Sequence, residues 1–281
     1  MLKRVLIVGG IVVALILAVV GYSVFRTPEE ASSPIQAIPI APTTAAAGAT
    51  AAPEATAAPE ATAAPEVTAA PEATAAPTDT TTGGTAVPEA TAATGGTAAT
   101  GSPLIFEIVQ AESQARFLID EVLRGSPVTV VGTTDQVAGQ IAIDPSNPAT
   151  AQVGTIQVNA RTLVTDNDFR NRAIKNAILQ TDQFEYVTFK PTSITGLPSS
   201  VQANQAFTFQ MAGDLTVRDV TKPVTFDVTV TPVSETELKG TAKTSLLHRD
   251  LGLSIPDSPS VDTVADEVRL ELDFVARPAT S

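Results

Sequence analysis

An all-β, antiparallel domain is what the sequence predicts for residues 104–281, carried behind a transmembrane helix and a disordered linker. Three observations predict it. Apolar and polar residues alternate at period two in stretch after stretch, turn signals rich in Pro, Gly, Asn and Asp separate those stretches, and a single segment shows helical spacing instead. The 281-residue averages, 43% hydrophobic and −13 in formal charge, conceal this because they mix three unlike segments.

The first segment is residues 1–26. Lys3 and Arg4 precede an uncharged apolar run from Val5 to Phe25, closed by Arg26. Roughly 20 apolar residues cross a bilayer core as a helix. The run predicts an uncleaved signal-anchor with a cytoplasmic N-terminus, because no A-x-A cleavage site follows and the positive pair leads. The domain then lies outside the cytoplasm, on a single-pass membrane protein. Secretion after signal cleavage is the alternative.

The second segment, residues 27–103, has no Lys or Arg and no aromatic residue. It holds a hexapeptide array: AAPEAT from Ala51, Ala57 and Ala69, AAPEVT from Ala63, AAPTDT from Ala75 and an echo, AVPEAT, from Ala86. A β-helix could also have a period of six, but it needs large apolar side chains for a core. Ala and Pro supply none, so the segment is expected to be a disordered tether. Largely in polyproline II it would reach on the order of 200 Å. Its Thr residues are candidate O-glycosylation sites on composition alone.

The third segment, residues 104–281, carries the alternation. Phe117 and Ile119 point one way and Arg116 and Asp120 the other. Val128 and Val130 flank Thr129, and Val137, Gly139, Ile141 and Ile143 alternate with Ala138, Gln140 and Ala142. Ile156 and Val158 follow. Then come Phe207, Phe209 and Met211, the pair Leu215 and Val217, the series Val224 to Val230, and the series Val268 to Phe274. These read as half-buried strands with one wet face. Eight or more in one domain predict a sandwich or a closed barrel. Periodicity does not choose between them. From Asp166 to Leu179, Ile174, Ala177 and Ile178 recur at helical spacing, which predicts one short helix capped by Asp166 or Asp168.

Composition excludes whole classes of chemistry. The chain has no Cys and one His, so disulfides, thiolate metal sites, Cys nucleophiles and multi-His metal sites are ruled out. The acidic balance, with a sequence pI near 4.4, argues against nucleic acid as a partner. His248 has no Ser and acid at a recognisable spacing and is read as a satisfied or exposed histidine. The Asp166-Asn167-Asp168 run lacks the later Gly and Glu of a calcium loop and is read as a cap. Asp262, Asp266 and Glu267 are read as a solvated loop rather than a carboxylate pair for hydrolysis. Gly213 is read as a turn residue. No enzyme activity, metal or cofactor is expected.

From Gly213 the chain reads GDLTVRDVTKPVTFDV, which resembles the hallmark of the YceI-like family, a Gly-Asp-Leu-Thr turn leading into a paired strand. TDNDFRNRAI from Thr165 is similar to the family's helix start, with Ala173 where many members carry His. FEYVTF from Phe184 is similar to its next strand, with Glu185 at a Pro position. HRDLGL from His248 resembles a late element, with His248 for Asn and Leu251 for Phe, while Arg249 and Gly252 match. The likeness covers roughly Phe106 to Phe274. It implies a lipocalin-like antiparallel β-barrel with a short helix, extracytoplasmic, binding a polyisoprenoid-type or other amphiphilic lipid without chemical turnover. The expected pocket lining is Phe117, Ile119, Val130, Ile141, Phe189, Phe207, Phe209, Leu215, Phe226, Leu270 and Phe274, with Arg249 as the head-group candidate at the rim. A stalk-displayed interaction module with a filled barrel and no ligand is the alternative.

Overall fold

The alternating stretches pair into one curled antiparallel sheet of 12 strands. The computed structural model describes residues 21–22, 26–40 and 103–279. In chain order the strands are β1 (Leu104–Ile108), β2 (Gln114–Leu123), β3 (Ser126–Thr134), β4 (Val137–Ala138), β5 (Gln140–Ile143), β6 (Gln152–Val153) and β7 (Ile156–Asn159). After the helix come β8 (Tyr186–Thr195), β9 (Phe207–Val217), β10 (Val220–Ser234), β11 (Glu237–Leu247) and β12 (Val261–Pro278).

Across the sheet the order is β4-β7-β8-β9-β10-β11-β12-β1-β5-β6. The 18 residues of β12 serve two neighbours on one side: Val261 to Asp273 run against β2, and Ala276 to Pro278 against β1. Strand β3 then pairs with β2. The closed lipocalin-like ring does not form. Among the described residues only the isolated bridge between Thr133 and Val164 links β3 to the opposite side, and the sheet curls into a half-barrel. The chain itself crosses the gap, because it changes partner between Ala138, which faces Gln157 of β7, and Gln140, which faces Glu107 of β1.

Tight turns set the registers. Arg124 and Gly125 both take positive φ, 50° and 79°, joining Leu123 to Ser126 in the two-residue geometry that matches strand twist. Four strands go beyond the alternation read in the sequence, β1, β6, β8 and β11, and of these only β8 had the family likeness behind it. Gly213 is not in a turn. It lies within an unbroken β9, opposite Pro191, and the turn falls later, at Arg218 and Asp219.

The helical segment is α1 (Asp168–Ala173), continued by a π turn over Ile174–Ile178 in which the Leu179 N–H donates to the Ile174 carbonyl. Its cap is neither Asp166 nor Asp168. The Asn167 side chain accepts from the Phe169 and Arg170 N–H groups, a geometry equally open to Asn.

Residues 27–40, assigned above to the tether, are extended along the domain. Ile35 is 4% exposed. The Ser32 N–H and hydroxyl both donate to Glu185, Gln110 Nε2 donates to the Ile35 carbonyl, and the Ile40 N–H donates to Gln140 Oε1. The reason is local composition: Ile35, Ile38 and Ile40 give this stretch apolar side chains that the hexapeptide array lacks. The array and almost all of the Val5 to Phe25 run lie outside the described residues. No helix among the described residues is long and apolar enough to cross a membrane.

Candidate functional site

The inward face of the sheet is filled at one end and hollow at the other. Odd-numbered residues of β9 point inward from Phe207 to Val217. Phe207 and Phe209 stand at the filled end, their ring centroids 6.0 Å apart. Met211, Leu215 and Val217 stand at the hollow end, where a cavity of about 280 Å³ opens. Its wall is almost wholly apolar: Phe117, Ile119, Val130, Ile156, Val158, Val187, Phe189, Phe226, Leu270 and Leu272 from the strands, with Ile174, Ile178 and Leu179 covering it from the helical segment. The π turn is what sets Ile174, Ile178 and Leu179 on that cover. The rings of Phe189 and Phe226 meet edge to face with centroids 4.9 Å apart, a favourable aromatic geometry.

Seven of the expected lining residues border this cavity: Phe117, Ile119, Val130, Phe189, Leu215, Phe226 and Leu270. Four do not. Ile141, Phe207, Phe209 and Phe274 pack in or against the core at the filled end. Period two gives the face of a strand but not the depth along it, and these four share the right face at the wrong end. The Phe274 ring packs on Gly240 of β11. The lining also takes in residues from segments that periodicity did not single out as cavity-facing, namely Leu163, Leu251, Leu253 and Ile255.

Gly213 belongs to this wall through Phe189. A β-carbon on Gly213 would stand 2.6 Å from Phe189 Cζ and 2.5 Å from the Lys190 carbonyl oxygen. Only glycine lets the ring lie against β9 there, so close approach rather than turn geometry explains the residue.

Polar side chains gather at the helix-covered end. Glu121 points inward from β2, is 8% exposed, and accepts from Arg170 Nη2 at 2.8 Å. Arg170 also pairs with Asp166 across one helical turn at 2.5 Å. His248 borders the cavity, with Nδ1 3.0 Å from the Leu253 carbonyl oxygen. Arg249, the head-group candidate, turns away and pairs with Asp266. The neighbouring His248 occupies the rim instead, because a 3₁₀ turn over His248–Leu251 directs adjacent side chains apart. Asp262 accepts from the Gly125 N–H in the β2–β3 turn. No group of three or more His, Cys, Asp or Glu able to hold a metal occurs among the described residues. Arg116, which borders the cavity together with Glu271, bridges Glu271 at 2.7 Å and Asp273 at 2.6 Å, which holds the Glu271 carboxyl below its ordinary range.

A second polar centre lies outside the cavity, where the N-terminal strap docks. Arg161 is 10% exposed in its side chain. It donates to the carbonyls of Thr181, Asp182 and Glu30 and pairs with Glu185 at 3.1 Å and Glu29 at 3.2 Å. Burial pushes the Glu185 carboxyl up, but the Ser32 hydroxyl and N–H, the Asn159 amide and the Arg161 charge together hold it below the ordinary carboxylate range.

Comparison with known proteins places this arrangement. The YceI-like domain family matches residues 106–276. No curated protein matches. Among solved structures, a polyisoprenoid binding domain from Saccharophagus degradans implicated in plant cell wall breakdown is 12% identical, with a TM-score of 0.51, over 63% of this chain and 99% of that one. Burkholderia cenocepacia BcnA is 18% identical over 62% of this chain and 99% of its own, with a TM-score of 0.49. At these identities the likeness is one of fold.

Proposed function

The chain belongs to the YceI-like family, and on that premise we propose that it is a membrane-tethered, extracytoplasmic binding protein that holds a polyisoprenoid-type or similar amphiphilic lipid without chemical turnover. The observation that carries this reading is the cavity itself: an almost wholly apolar wall on which Glu121, Arg170 and His248 gather at one end, with Arg116 and Glu271 also bordering it. An amphiphile matches that polarity, with its chain among Phe189, Phe226, Leu215 and Leu270 and its polar end toward the helix. The structural relative described as polyisoprenoid binding supports the ligand class.

Volume bounds the ligand. At about 280 Å³ the cavity sits near the roughly 300 Å³ lower end of small-molecule sites. One short apolar chain fits, or the end of a longer one. Membrane attachment through the Val5 to Phe25 run completes the reading, and the apolar length of that run supports it. The alternative, a display module with a filled barrel, would need this space occupied by the protein's own side chains.

Mass spectrometry of an organic extract from purified protein tests the carrier reading. An amphiphile recovered in stoichiometric amount is the expected result. A clean extract, together with no uptake of added polyprenyl alcohol or phosphate, would overturn it.

A further inference from the structure

The strap over residues 26–40 changes what the N-terminal segment does. Its first residue is tied to the cover of the cavity: Asn176 Nδ2, in the π turn, donates to the Arg26 carbonyl at 2.8 Å, and the Arg26 guanidinium pairs with Asp182. The Arg26 N–H in turn donates to the Tyr22 carbonyl at 2.9 Å, and Tyr22 is helical. The docked Arg26 therefore follows directly in sequence on the end of the apolar run at Phe25. From Arg26 the strap passes Arg161 and Glu185, buries Ile35, and ends with Ile40 against Gln140 and Gly154.

The other end of the linker returns to the same place. Gln140 pairs with Glu107, and Leu104 lies three residues along β1 from Glu107. At about 3.4 Å per strand residue the two attachment points lie on the order of 15 Å apart.

On the reading that Val5 to Phe25 crosses the membrane, on which this inference rests, we propose that the docked strap holds the domain directly on the outer bilayer surface with its helix-covered end facing the lipid. On this reading the docked strap, and not the length of the hexapeptide array, sets the distance between domain and membrane. The cavity's cover, Ile174 to Ile178, stands beside the point where the anchor emerges. Two exposed apolar side chains at the same end fit a lipid interface: Phe169 on α1, 66% exposed, and Val128, the partner of Glu121 on β3, 37% exposed. The partner is the bilayer itself, presenting acyl chains at the level of the mouth. Lipid would pass between membrane and cavity without crossing water.

The natural absence of Cys makes the test direct. The full chain carries one fluorescent label on Asp219→Cys, in the β9–β10 turn at the helix-covered end, or on Glu235→Cys, in the β10–β11 turn at the opposite end. Strand β10, 15 residues long, joins these two turns and sets them roughly 50 Å apart. Each protein is reconstituted into phosphatidylcholine vesicles containing brominated lipid, and vesicle binding is read separately by flotation.

Strong quenching at position 219, at least fivefold that at position 235 and unchanged by deleting residues 43–100, is the expected result. Ile35→Asp, which undocks the strap, should erase the difference while lipid uptake shows the domain still folded. Floating protein with equally weak quenching at both positions, or quenching that depends on the array, overturns the inference and leaves the anchor standing. Protein that does not float removes the anchor and the inference together, and the cavity is judged separately by extraction.

Discussion

The ring of Phe117 covers the backbone of Gly132, its direct partner across β2 and β3, so closely that a β-carbon on Gly132 would overlap the ring. Phe117 is also a wall of the cavity. The glycine is what lets the ring lie against the sheet rather than stand in the open space. Gly132→Ala is therefore expected to tilt Phe117 into the cavity. It should cost about 1–3 kcal/mol, as overpacking does, and reduce bound lipid. Chemical denaturation and quantified extraction check both. Unchanged lipid loading would show that the space beside Phe117 is not used.

Phenylalanines at the two ends of the sheet should behave differently. Phe226 is 8% exposed and lines the cavity, so Phe226→Ala should cost about 3–5 kcal/mol and alter lipid uptake. Phe209 is half-buried at the filled end. Phe209→Ala should cost less, about 1–3 kcal/mol, and leave uptake within twofold. Titration with a fluorescent polyene chain separates the two. Equal effects on uptake would place Phe209 in the site after all.

Glu121 and Arg170 join β2 to the helical cover. Arg170→Ala leaves a buried carboxylate without its cation, a change that costs roughly 3–5 kcal/mol for fully buried pairs. Arg170 is 22% exposed, so about 2–3 kcal/mol is expected. The double variant Glu121→Gln with Arg170→Met should recover most of it. A double-mutant cycle by thermal unfolding reads the coupling, and additive losses would mean that the pair does not hold the cover down.

Strap docking should depend on pH through Glu185. Its carboxyl is held below the ordinary range in the folded chain, so its contribution is fully present above about pH 4.5, the ordinary Glu region. That contribution is lost as pH falls through the depressed value. Proteolysis of the strap should therefore rise on acidification below pH 4.5, and Glu185→Gln should show high cleavage at neutral pH already. A strap equally protected at pH 3 and pH 7 would exclude this control.

Much of the sheet was legible because its inward residues are large. The series Val268 to Phe274 and Phe207 to Met211 each contrast strongly with their polar neighbours. Strand β11 was not, since its inward positions include Gly240, Ala242 and Thr244, small residues that give no run of large apolar side chains to set against Lys239, Thr241 and Lys243. Seven lining residues followed from face and family likeness. The other residues bordering the cavity came from connections, where Leu253 and Ile255 carry no periodic signal, and there His248 borders it while Arg249 pairs with Asp266. Glu185, a departure from the family's motif, proves to be where Ser32 docks.

By itself the sequence determined the antiparallel all-β class, the short helix within the domain, the absence of thiol and multi-histidine chemistry, and the family. These depend on residue type and local spacing, which a linear chain displays in full. Only the tertiary structure decided that the sheet stays a half-barrel, that one end of it is hollow, and that residues 26–40 lie on the domain. Each of those depends on depth along a strand or on contacts between residues more than 100 positions apart, such as Ser32 with Glu185, and no local pattern encodes such distances.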